Sequence, residues 1–135
     1  MNSIPLPIHL DDDKPRDECG IFAISGSRAA AELTFLGLYA LQHRGQESAG
    51  IVAIDDDGLA HSHKGMGQVN EAFDDATMRK LPGTVAIGHV RYSTAGSSSL
   101  RNAQPVLVNY RHGPMALAHN GTLTNAKEIG CLLYT

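Results

Sequence analysis

Asp17-Glu18-Cys19-Gly20-Ile21-Phe22-Ala23-Ile24-Ser25 joins a polar leader to the first apolar run of the chain. Gly20 to Ile24 reads as a short buried strand, closed by the turn residues Ser25-Gly26-Ser27. Cys19 stands at its head. Removing the 18 residues before it would make it chain-terminal, with a thiol and a free α-amine on one residue. An unperturbed α-amine has a pKa of about 8 and can serve as the thiol's own general base, so no separate histidine is needed. The same local sequence also fits a buried structural cysteine, because free cysteines are among the most buried residue types.

The 135 residues suffice for one small domain with a real core. Hydrophobic residues are 42% and charged residues 19% of the chain, as expected for a soluble globular protein. The net charge is −3 and no basic cluster marks a segment, so nucleic acid is not an expected partner. Two cysteines without a CxxC argue against a disulfide framework and a zinc ribbon, and fit a reducing cytoplasm. Residues 1–18 hold three prolines and Asp11-Asp12-Asp13, an acidic leader without the apolar core of a signal peptide. No stretch approaches the ~18 apolar residues of a membrane span.

Along the chain, the spacing of Leu33, Leu36, Tyr39 and Ala40 predicts a helix from Ala29 to about His43, with Ser27 as a cap and Gly45 as its stop. Ala49–Ile54 and Leu59–Lys64 flank Asp55-Asp56-Asp57-Gly58 and predict a hairpin. Glu71–Lys80 reads as short helical structure stopped near Pro82. Thr84–Val90, Val106–Tyr110 and Met115–His119 read as strands, and Asn125–Ile129 as a helix start. This order predicts an α+β domain with largely antiparallel sheets.

Four segments concentrate chemically useful residues. The first is Cys19-Gly20-Ile21-Phe22. The second, Leu41 to Gly50, is polar and follows a helix; its plain reading is a solvated helix end, with His43 and Arg44 complementing the dipole. The third is Gly88-His89-Val90-Arg91-Tyr92-Ser93-Thr94-Ala95-Gly96, where a strand delivers an arginine into a hydroxyl-rich loop. Arg91 could fork onto a carboxylate with Tyr92 and Thr94 beside it, or be a surface arginine. The fourth is Ala118-His119-Asn120-Gly121-Thr122. Asn-Gly is often only a tight turn; the alternative is an oxyanion hole made of the Asn120 amide and the Gly121 N–H. His61 and His63 share one strand face, but no third metal ligand has suitable local spacing, and solvent-facing histidines are the favoured reading.

Together, in this order and spacing, these segments resemble the glutaminase half of the amidophosphoribosyltransferase family, from about Glu18 to about Glu128. The matching stretches are Glu18 to Phe22, Leu41 to Gly50, Gly88 to Ser99 and Leu117 to Asn125, with Asn102-Ala103-Gln104-Pro105 following the third. The resemblance implies an N-terminal-nucleophile hydrolase, a four-layer αββα sandwich that is incomplete in this chain. It implies a leader at 1–18, a partial type 2 glutamine amidotransferase domain at 19–130, and a tail at 131–135 that does not match the family and reads as non-native. It implies Cys19, Asn120 and Gly121 as catalytic residues, with Arg91, Thr94 and Tyr92 binding the substrate and no metal site in this stretch.

The resemblance further implies glutamine as substrate and phosphoribosyl pyrophosphate bound by a domain beyond this chain. It implies Mg2+ and, in the subgroup made as a precursor, a 4Fe-4S cluster, both held downstream. A cytoplasmic homo-oligomer of the full-length enzyme, without nucleic-acid or membrane partners, completes the expectation. Two alternatives carry different implications. One is the glutaminase domain of another class II amidotransferase, of the glucosamine-6-phosphate synthase type. The other is a non-catalytic module in which Cys19 stays internal.

Overall fold

In a computed structural model, residues 19–43, 45–92, 99–121 and 125–134 are described. The elements are β1 (Gly20–Ser25), α1 (Ala30–Leu41), β2 (Gln46–Ile54), β3 (Ala60–Met66), α2 (Val69–Ala72), α3 (Asp75–Met78), β4 (Val85–Tyr92), a 3-10 turn (Leu100–Asn102), β5 (Val106–Tyr110), β6 (Gly113–Leu117) and α4 (Ala126–Tyr134). Strands β1-β4-β2-β3 form one antiparallel sheet, and β5-β6 form a separate antiparallel pair.

Period-2 alternation gives the larger sheet two unlike faces. Phe22 and Ile24 of β1, Ala49, Ile51 and Ala53 of β2, and Ala86 and Val90 of β4 point to one side and pack with α1. Leu38, fully buried, anchors α1 there. The approach is close: a Cβ on Gly88 would lie 2.6 Å from Thr34 and 2.7 Å from Leu38, so glycine sets the helix-to-sheet distance. The opposite face carries His89 and Arg91 of β4 and Lys64 of β3. The segment around Gln104 covers part of it, and β6 approaches the groove lined by Ala23, Val85 and Ile87 through Ala116.

The 55–58 turn forms as its residues require. Asp55 accepts the N–H groups of Asp57 (3.0 Å) and Leu59 (2.8 Å), and Gly58 takes a φ of 78°. The predicted hairpin is present and longer at its open end, where β2 starts at Gln46 and β3 runs to Met66. Elsewhere neighbouring side chains move the boundaries. Helix α1 stops at Leu41, not at Gly45, because Gln42 turns extended and its side chain accepts the Val69 N–H at 3.0 Å. The helical stretch expected at 71–80 is two short helices. Phe73 breaks it by burying its ring in the core, and Asp74 then caps α3 through the Thr77 N–H at 2.7 Å. Strand β6 begins two residues earlier than its pattern suggested. Pro114 is accommodated there because a two-stranded pair leaves an outward edge that needs no N–H.

The histidines of β3 are a second correction. His61 and His63 do share a face, but they are half-buried and partnered rather than solvent-facing. His61 Nε2 lies 2.7 Å from Asp55 Oδ2, and His63 Nε2 lies 2.9 Å from the Ala72 carbonyl with its ring edge-on to Phe73. His61 and the backbone donors of the turn hold the Asp55 carboxyl below its ordinary range. Helix α4 runs on through Cys131, whose side chain is exposed.

Candidate functional site

Cys19 sits at the entrance to β1, and β1 lies against β4 in a register that sets Gly20 opposite Val90. This brings Cys19 beside the end of β4. Its Sγ accepts the Tyr92 N–H at 3.3 Å and lies 3.7 Å from the Tyr92 carbonyl. The thiol is thus positioned by main chain and is half-buried.

Asn120 arrives from 101 residues away in sequence. Its Nδ2 donates to the Cys19 carbonyl at 2.5 Å. Gly121 follows with a φ of 126°, a conformation that favours glycine. The Asn120 amide therefore stands beside Cys19 at the β1 end of the sheet.

Arg91 lies on the same face of β4 as His89. Its Nη1 donates to Glu47 Oε1 at 2.9 Å, and both side chains are largely buried. Glu47 was not legible as a site residue. It occupies the irregularity where β2 shifts register against β4 between Gln46 and Ser48, and alternation alone does not place a bulged side chain. The second Glu47 oxygen is buried without a hydrogen-bond partner. Tyr92 faces the other way. Its hydroxyl accepts the His43 N–H and donates to the His43 carbonyl (3.0 Å), tying β4 to the chain after α1. Thr94 lies outside the described residues, as do Arg44 and the rest of 93–98 and 122–124.

His89 and Gln104 were also missed as site residues. His89 is fully buried, and its Nε2 lies 3.1 Å from the His119 carbonyl. Burial pushes its pKa from 6.5 down to about 4, with the His119 contact opposing the shift. It is therefore neutral at physiological pH, and because a carbonyl only accepts, Nε2 carries the proton. Among the described residues, no group of three or more His, Cys, Asp or Glu side chains could hold a metal ion.

No family model matches the chain. Comparison with curated proteins finds strong likeness. Amidophosphoribosyltransferase 1, chloroplastic, from Arabidopsis thaliana is 50% identical over 123 residues, covering 91% of this chain and 22% of the relative. Two solved structures share the fold. One is described as the allosteric regulatory enzyme of purine biosynthesis (TM-score 0.77, 46% identity, 84% of this chain and 24% of that one). The other is glutamine phosphoribosylpyrophosphate amidotransferase from B. subtilis complexed with ADP and GMP (TM-score 0.74, 43% identity, 84% and 24%). The chain thus matches the N-terminal part of amidophosphoribosyltransferases and spans about a quarter of the length of these relatives. Its fold is that of the N-terminal-nucleophile hydrolases, mixed α/β with antiparallel sheets. The likeness does not favour the glucosamine-6-phosphate synthase alternative.

Proposed function

We propose that this chain is the glutamine-hydrolysing part of an amidophosphoribosyltransferase, with Cys19 as its nucleophile once residues 1–18 are removed. The observation that carries this reading is the meeting of Asn120 with Cys19 across 101 residues of sequence. The likeness to amidophosphoribosyltransferases supports it.

The chemistry follows from the groups present. The Cys19 thiol gives its proton to its own α-amine, and Sγ attacks the side-chain amide carbon of glutamine. The oxyanion that forms is held by the Asn120 amide and the Gly121 N–H. The α-amine returns the proton to the departing nitrogen, which leaves as ammonia. A γ-glutamyl thioester remains. Water, deprotonated by the same amine, attacks it, and glutamate leaves as Sγ is reprotonated. Arg91 and Thr94 bind the glutamine α-carboxylate, and Glu47 steers the guanidinium; Tyr92, committed to the His43 backbone, takes no part in substrate binding.

The ammonia then displaces pyrophosphate from phosphoribosyl pyrophosphate, giving 5-phosphoribosylamine, the first step of purine synthesis. That second site, its Mg2+ and any 4Fe-4S cluster belong to parts of the protein beyond this chain. The full-length enzyme works in the cytoplasm as a homo-oligomer.

The direct test is Cys19→Ala in the full-length protein. Glutamine hydrolysis should fall by about 10⁴-fold or more, while synthesis from free ammonia survives. A variant that still hydrolyses glutamine removes Cys19 from the mechanism.

A further inference from the structure

We infer that His89 and Gln104 are positioning residues that hold the Asn120–Gly121 turn against Cys19 by clamping the backbone of His119. The inference rests on the glutaminase reading above and adds two residues to it.

Strand β6 ends at Leu117. Residues 118–121 therefore lie beyond the last rung of the β5-β6 pair, and another contact must fix their position. The His119 backbone supplies it. Its N–H donates to Gln104 Oε1 at 2.7 Å, and its carbonyl accepts from Gln104 Nε2 at 3.2 Å and from His89 Nε2 at 3.1 Å. The Gln104 amide thus pairs with both main-chain groups of one residue, as a neighbouring strand would. His89 adds a third bond from the sheet itself. The next residue, Asn120, bonds to Cys19.

Gln104 is itself seated. A Cβ on Gly50 would lie 2.1 Å from the Gln104 carbonyl oxygen, so the 103–105 segment rests directly on β2. Lys64 Nζ donates to the Ala103 carbonyl at 2.9 Å. A continuous path of contacts runs from the centre of the sheet through Gln104 and His119 to Asn120.

A purely structural role does not account for His89. Its Nδ1 is buried and without a hydrogen-bond partner, which destabilises the fold relative to an apolar residue of similar shape. The compensating feature is the Nε2 bond to His119. Misplacing a catalytic group by about 1 Å costs about 10²-fold in rate, so a clamp one residue from the oxyanion donor acts on turnover.

The experiment is steady-state kinetics on the full-length protein with His89→Leu, Gln104→Met and His89→Gln, which keeps an N–H donor. The first two should lower kcat for glutamine hydrolysis about 10–100-fold with KM changed less than about threefold. Synthesis from free ammonia should be unaffected, and His89→Gln should recover most of the loss. Unchanged kcat, a rise confined to KM, or parallel loss of ammonia-dependent synthesis in both Leu and Met variants would overturn the clamp. Amide exchange at His119 gives a reading independent of activity: slow in the parent and faster in Gln104→Met supports the clamp, and equal rates refute it. If the parent hydrolyses no glutamine, the glutaminase reading fails and the exchange result alone decides the clamp.

Discussion

On one side of the four-stranded sheet, β4 presents Ala86, Gly88 and Val90 to helix α1. On the other side the same strand presents His89 and Arg91 to the segments that carry Glu47, Gln104 and His119. The helix side is sealed by small and apolar residues packed at close range. The other side holds buried polar groups with unpartnered atoms on Glu47 (Oε2), Ser48 (Oγ) and His89 (Nδ1); on the helix side Thr34 Oγ1 is likewise buried without a partner. A pleat of period 2 lets one strand serve both purposes. The first face supplies stability; the second accepts polar burial in return for placing groups around Cys19.

Substitutions on each face can break that division. Leu38→Ala, on the sealed side, should lower the unfolding free energy by about 2–5 kcal/mol, read from urea denaturation. Glutamine turnover per folded molecule should stay unchanged; a fall in turnover while the protein is fully folded would show that the faces are coupled. Asn120→Ala should do the reverse. Its side chain is exposed, so stability should hold, while kcat falls about 10²–10³-fold, or ~2.7–4 kcal/mol in the barrier. Loss of stability with unchanged kcat would make Asn120 an ordinary turn residue.

The smallest effect is in the pH dependence of stability. His89 titrates near 6.5 when unfolded and at about 4 when folded, chiefly through burial. Between these values the unfolded chain binds more protons, so this group's contribution is fully present above pH 6.5 and is lost as pH falls towards 4. Arg91 on the same face adds to the penalty for charging it. His89→Gln should flatten stability across that window in thermal melts at several pH values. An unchanged profile would mean that the imidazole is accessible to solvent.

The chain's legibility followed the same division. The opening at Cys19, the Asp55–Gly58 turn and the alternation of β4 are local patterns with local causes, and each was readable. Asn120 stood out within its own segment, but its contact with Cys19 depends on packing between segments 101 residues apart. Glu47 was hidden by a register shift, and His89 by sequence distance from the carbonyl that gives it a role. Tyr92 was read for its hydroxyl, yet that group binds the His43 backbone while its main chain brackets the thiol. The end of α1 and the break between α2 and α3 were misplaced because side chains from other elements, Gln42 on Val69 and Phe73 in the core, override local stop signals.

The central claim is that Cys19 becomes the chain terminus and the nucleophile. Its most direct test is mass spectrometry of the full-length protein after exposure to a diazoketone analogue of glutamine. The account predicts a mature chain that begins at Cys19 and carries the label on that residue. Active protein with an intact Glu18–Cys19 bond, or label on any other residue, would contradict it.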